Sequence, residues 1–118
     1  MATPEGKVKA LLRKVLKPFG VWMYAPVSNG MGAHGIPDYV CCVPLVVTPD
    51  MVGKKLGLFV GIETKAPGRR GQPDRGLSKM QVMQKKRIMD ASGYYFVVDG
   101  MDDIEDLTVY LRLGDKNG

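Results

Sequence analysis

Apolar residues recur along the N-terminal segment with helical spacing. Val8, Leu11, Leu12, Val15, Leu16 and Phe19 fall at i, i+3, i+4, i+7, i+8 and i+11, one stripe of a helix spanning Pro4 to Lys17. Thr3 suits the N-cap and Pro4 the first helical position, and Glu5 sits in the first turn, where its charge complements the helix dipole. Gly20 ends this helix. The pattern then changes: Val21 to Val27, Asp38 to Val47 and Leu56 to Lys65 read as three strands. They are separated by the glycine-rich Ser28–Gly35 and by the turn-forming Thr48–Gly53. The second and third strands are expected to form a hairpin. Ala66 to Leu77, dense in Gly, Pro and Arg, reads as an exposed loop. Ser78 opens a second helix to about Ala91, stopped by Gly93; Tyr94 to Val98 is an apolar strand of the buried type; an acidic helix, roughly Met101 to Leu113, closes the chain. The order α-β-β-β-α-β-α predicts an α/β fold, a mixed sheet with helices on its faces, with residues 1–118 as one domain.

Charge changes this picture more than composition does. The apolar fraction of 45% and charged fraction of 25% are those of an ordinary globular domain. The net charge of +5, however, is unevenly placed. Lys65, Arg69, Arg70, Arg75, Lys79, Lys85, Lys86 and Arg87 face a single acid, Asp74, between residues 65 and 87. Six acids follow from Asp99 onward against Arg112 and Lys116. A basic patch of this kind fits a polyanionic partner, with a solvated helix face as the plain alternative. No apolar region follows the early charges as a signal peptide requires. The longest apolar run, Tyr39 to Val47, is far short of the roughly 20 residues that span a bilayer. The expectation is a soluble, cytoplasmic protein with no membrane partner. Cys41 and Cys42 are neighbours that point to opposite faces of a strand, so they read as reduced thiols rather than a disulfide or a zinc site.

Candidate chemistry lies at the ends of the central strands. Phosphodiester hydrolysis needs a divalent ion to polarise phosphate and acidify water, and a cation to manage developing charge. Magnesium takes hard oxygen ligands, one or two of them protein carboxylates. Two acids and a lysine converging from a sheet are a minimal site. In a strand, Glu63 and Lys65 project from one face about 6–7 Å apart, with Val60, Ile62 and Thr64 facing a core on the other side. Asp38 opens the preceding strand directly after Pro37.

Pro37-Asp38, then Glu63-Thr64-Lys65, resembles the PD-(D/E)xK nuclease superfamily. With Gly35-Ile36 before it, Ala66 after it, and Leu77-Ser78 and Gln81 opening a helix that ends at Gly93, it resembles the VRR-NUC family in particular. The resemblance implies a restriction-endonuclease-like mixed sheet flanked by helices. It implies an endonuclease dependent on Mg²⁺ or Mn²⁺, with no organic cofactor. Asp38 and Glu63 would ligate the ion with the Thr64 backbone carbonyl, and Glu5 would add a carboxylate. Lys65 would orient the attacking water and stabilise phosphorane charge, and Gln81 would hydrogen-bond the water or a metal-bound group. Compact stand-alone members of phage type imply a homodimer acting in the host-cell cytoplasm on branched DNA such as Holliday junctions. Alternatives are a nuclease directed to flaps, nicks or ends, and a non-catalytic nucleic-acid-binding module.

Each residue also has a plainer reading. Glu63 and Lys65 suit an edge strand, Asp38 a turn after Pro37, and Glu5 a first helical turn. Ser78-x-x-Gln81 is a capping box. Arg69, Arg70, Arg75 and Lys79 are placed to contact DNA phosphates, and His34, the one histidine, to sit at the rim of the site. Ser28 and Asn29 fit a flexible loop or a close approach to a sugar–phosphate backbone. Trp22 and Tyr24 read as packed aromatics.

Overall fold

The structure is a computed structural model and describes residues 3–27, 35 and 37–111. Helix α1, Pro4–Leu16, begins as its sequence requires: Thr3 Oγ1 accepts from the Gly6 amide at 2.9 Å, with proline in the first turn. A 3₁₀ turn, Lys17–Phe19, follows and ends at Gly20, whose φ of 70° is left-handed. The apolar stripe of α1 is where expectation fails. No residue of the helix is buried, and Val8, Leu11 and Val15 stand 65%, 59% and 52% exposed. The Arg13 guanidinium lies 5.4 Å above the Tyr39 ring.

Four strands pair in two separate ladders. Strands β1 (Trp22–Tyr24) and β2 (Val40–Cys42) are antiparallel, with Trp22 opposite Cys42 and Tyr24 opposite Val40. Strands β3 (Val60–Thr64) and β4 (Tyr94–Val98) are parallel, with Gly61 opposite Tyr95 and Glu63 opposite Val97. The Tyr94 amide bonding Phe59 O at 3.0 Å and the Lys65 amide bonding Val98 O at 2.9 Å prolong this second ladder at its two ends. Helix α2, Lys79–Asp90, joins β3 to β4, so the strand–helix–strand crossover is present. The expected hairpin is not. Strand β2 pairs with β1, and β3 pairs with β4. Pro26 and Pro44 account for the short first ladder, since each removes a donor the ladder would need. Leu45, Val46 and Val47 lie outside any strand, 60–84% exposed.

The core is small and gathers around β4. Val97 and Val98, consecutive and therefore on opposite faces, are 3% and 6% exposed. Ile88 and Ala91 from the end of α2, Leu107 from α3 (Met101–Tyr110) and Cys42 from β2 complete the buried apolar set. Tyr110 sets α3 edge-on against Tyr94 and Phe96 at 6.0 and 5.6 Å. Cys42 Sγ lies 3.4 Å from Ala91 O and draws β2 onto the end of α2. Burial raises the pKa of that thiol. A side chain at Gly93 would meet Ile88 Cγ2 at 2.8 Å and Cys42 Sγ at 2.9 Å, so this junction needs glycine. Trp22 packs tilted against Phe59, ring centroids 5.1 Å apart, and donates from Nε1 to Gln84 Oε1 at 3.1 Å, tying β1 to the residue before β3 and to α2. Ile62 and Thr64, expected on a core face, are exposed; α3 packs on β4 rather than covering them.

Candidate active site

Alternation along β3 puts Gly61, Glu63 and the following Lys65 on the side of the ladder that faces α2. Gln81, in the first turn of α2, meets them there. Its Nε2 donates to Glu63 Oε1 at 2.9 Å, and its Oε1 accepts from Lys65 Nζ at 3.0 Å. The Lys65 amine is also 3.8 Å from Glu63 Oε1, and the two side chains are only 14% and 31% exposed. The Ser78 amide donates to Gln81 Oε1 at 2.9 Å and the Gln81 amide to Ser78 Oγ at 3.1 Å, closing the capping box. The two readings of Gln81 are therefore one geometry. By taking the Ser78 amide, Oε1 fixes which end of the side chain accepts and which donates. The donor end is left for the carboxylate and the acceptor end for the ammonium.

Comparison with protein-family models, with curated proteins and with solved structures finds no match. The site is therefore read from its own geometry.

Asp38 lies in a bend two residues before β2 and is exposed. Glu5 sits on α1, its side chain 73% exposed and 3.9 Å from Lys9. Among the described residues no group of three or more His, Cys, Asp or Glu side chains is placed to hold an ion, so Glu5, Asp38 and Glu63 do not form one. His34, Ser28 and Asn29 lie outside the described residues. Lys79, Arg69 and Arg75 are exposed beside the site, Lys79 at the start of α2 and the arginines in the loop after β3. Arg70 is paired instead, its guanidinium 2.7 Å from Asp103. Trp22 and Tyr24 stack on each other at 6.2 Å, but of the two expected packed aromatics Tyr24 is 51% exposed.

Three residues near the site escaped sequence reasoning. Tyr95 lies over Gly61 on the α2 side, and its hydroxyl pKa is raised by burial first and then by the Glu63 charge. Asp99 and Asp103 bind the loop that follows Lys65. Their signal was present as acids just beyond β4, but the acidic tail hid it: only parallel pairing brings the end of β4 beside the end of β3.

Proposed function

We propose that this chain is a metal-dependent nuclease that hydrolyses phosphodiester bonds in DNA. The observation that carries the reading is the Glu63–Gln81–Lys65 network: a carboxylate and an ammonium held by one oriented amide at the carboxyl end of a parallel strand. A loop carrying exposed Arg69 and Arg75 leaves that same strand end. Substrates of open α/β sheets bind beyond the carboxyl ends of such strands.

The donors at the end of β3, the Glu63 carboxylate and the Thr64 carbonyl, are hard oxygens of the kind Mg²⁺ and Mn²⁺ take. With Asp38 they would hold the ion, which when bound supplies an acidified water and a polarised phosphate. Lys65 donates to the water or to phosphate oxygen and offsets charge as it develops, and Gln81 keeps that amine aimed. Few elements are left to read bases, so affinity rests on phosphate charge and DNA shape. The preferred substrate is branched DNA such as a Holliday junction.

The proposal includes a homodimer. The uncovered Val8, Leu11 and Val15 of α1 supply an apolar face. Light scattering of the wild type against Leu11→Glu tests it; a wild-type monomer removes the dimer from the proposal.

A second reading, a nucleic-acid-binding module without catalysis, is favoured by one observation: Glu63, Gln81 and Lys65 already satisfy one another. Cleavage of four-way junctions, flaps and linear duplexes in matched salt decides between the two, with Mg²⁺ or Mn²⁺ added and then withdrawn by EDTA. Metal-restored cutting of any substrate supports the nuclease. Tight binding with no cutting supports the module.

A further inference from the structure

The loop between Lys65 and α2 is held by two acids that lie far along the chain. Asp99 follows β4 directly, and the Lys65 amide bond to Val98 O sets the start of the loop against the same strand end. Asp99 Oδ2 accepts from the Gly68 amide at 3.1 Å and from the Arg70 amide at 3.0 Å. Asp103, in the first turn of α3, takes the Arg70 guanidinium on Oδ1 at 2.7 Å and the Asp99 amide on Oδ2 at 3.0 Å.

The consequence is a sorting of charge. Two carboxylates beside a basic loop would repel a polyanion if they faced outward. Here their oxygens are taken up by the loop's own donors: Asp99, which lines an open cavity beside Arg75, binds two backbone amides, and Asp103 binds a guanidinium and an amide. Arg70 is neutralised by Asp103, although its side chain stays 39% exposed. Among the described residues Arg69 and Arg75 make no salt bridge and remain exposed. The loop is also held in a conformation that a free chain would leave. Asp74 and Arg75 both adopt left-handed backbone, φ 53° and 55°, and such non-glycine geometry persists only where the surroundings impose it. Gly76 has a φ of 76°, and a Cβ there would meet Arg69 O at 2.8 Å. Between Arg70, Gly71, Arg75 and Asp99 lies an open cavity of about 370 Å³.

We propose that Asp99, with Asp103 behind it, is a positioning residue that presents Arg69 and Arg75 to a nucleic-acid backbone by latching the loop that carries them. This rests on the nuclease reading. A latch that served the fold alone would leave DNA binding unchanged when opened. One that positions the arginines couples Asp99 to Arg75 in the salt dependence of binding.

The experiment uses the full chain and a DNA duplex in EDTA, measuring affinity against salt, with amide hydrogen exchange of Gly68 and Arg70 in parallel. Arg75→Ala should lower the salt slope by about one. Asp99→Ala should expose both amides and lower the slope by up to about two, the loss of both presented arginines, and Arg75→Ala should add nothing on top of it. Asp99→Asn, which keeps an acceptor oxygen, should recover most of the slope. Should Asp99→Ala fail to melt cooperatively, Asp103→Ala decides: a lowered slope with freed amides supports the proposal, and a wild-type slope with freed amides overturns it. Freed amides with a wild-type slope would overturn it and leave the nuclease reading intact. Wild-type protein without salt-dependent DNA binding would overturn both.

Discussion

Lys65 Nζ donates to Gln81 Oε1 across 3.0 Å, and that oxygen also closes the capping box of α2 through the Ser78 amide. A helix start and a candidate catalytic amine are therefore set by one atom. The two functions separate by mutation. Ser78→Ala removes the hydroxyl that caps the Gln81 amide but keeps its own amide, so Oε1 stays anchored. It should cost about 1 kcal/mol and lower Tm by about 4–6 °C in a calorimetric scan, with cleavage close to wild type. Gln81→Ala should match that loss of stability and also lower kcat by about 10- to 100-fold, the worth of hydrogen bonds to charged groups. If both variants cut alike, the amide does not aim Lys65.

Lys65→Ala should abolish metal-dependent cleavage and leave the DNA dissociation constant within about threefold, since one phosphate-facing charge among many is lost. Asp38→Asn should remove the metal response without unfolding the chain, because its side chain is exposed. Cleavage at the wild-type rate by either variant, measured in excess Mg²⁺, would refute the site assignment.

Local chemistry made part of this molecule legible in advance. Thr3, Pro4 and Ser78-x-x-Gln81 announce where two helices start, and the structure closes both caps. Tyr94–Val98 is the strand its apolar run indicates. The misplaced features are those decided by distant partners. Asp38 to Val47 is apolar and β-branched enough for a strand, yet with Pro44 inside it only Val40–Cys42 pairs, and with β1 rather than β3. The stripe on α1 signals a helix correctly but says nothing of what covers it. Glu63 and Lys65 were readable as one face from spacing alone; the latch by Asp99 was not, because it depends on the β3–β4 register.

Gly93→Ala tests how tightly the α2–β4 junction is packed. The added methyl would press on Ile88 Cγ2 and on Cys42 Sγ, both buried. Urea melts should show a loss of about 1–3 kcal/mol, the cost of overpacking, with an unchanged m-value. A neutral substitution would mean that β2 is not held against this junction.

Asp99 gives a pH dependence with a defined sign. Its pKa is lowered by the hydrogen bond with the Asp103 side chain, by the Arg70 and Gly68 amides that donate to it, and by the Arg70 charge. A depressed carboxyl contributes stability that is fully present above its unfolded pKa, roughly 4, and is lost as pH falls through the lower folded value. Amide protection at Gly68 and Arg70 should therefore decline on acidification below about pH 4. In Asp99→Asn protection should be weaker at neutral pH and nearly flat across that range. An identical profile for the two proteins would mean that Asp99 does not hold the loop.

The parallel pairing of β3 with β4 also fixes an order of events during synthesis. A ribosome releases Glu63, Lys65 and Gln81 well before Val97, the residue that pairs beside Glu63. Until β4 emerges, β3 lacks its partner strand, and the connection through α2 must close before either strand gains its ladder hydrogen bonds. A nascent chain stalled short of β4 thus carries the whole Glu63–Gln81–Lys65 set without the scaffold that aligns it, and competence arrives late, in a single closing step.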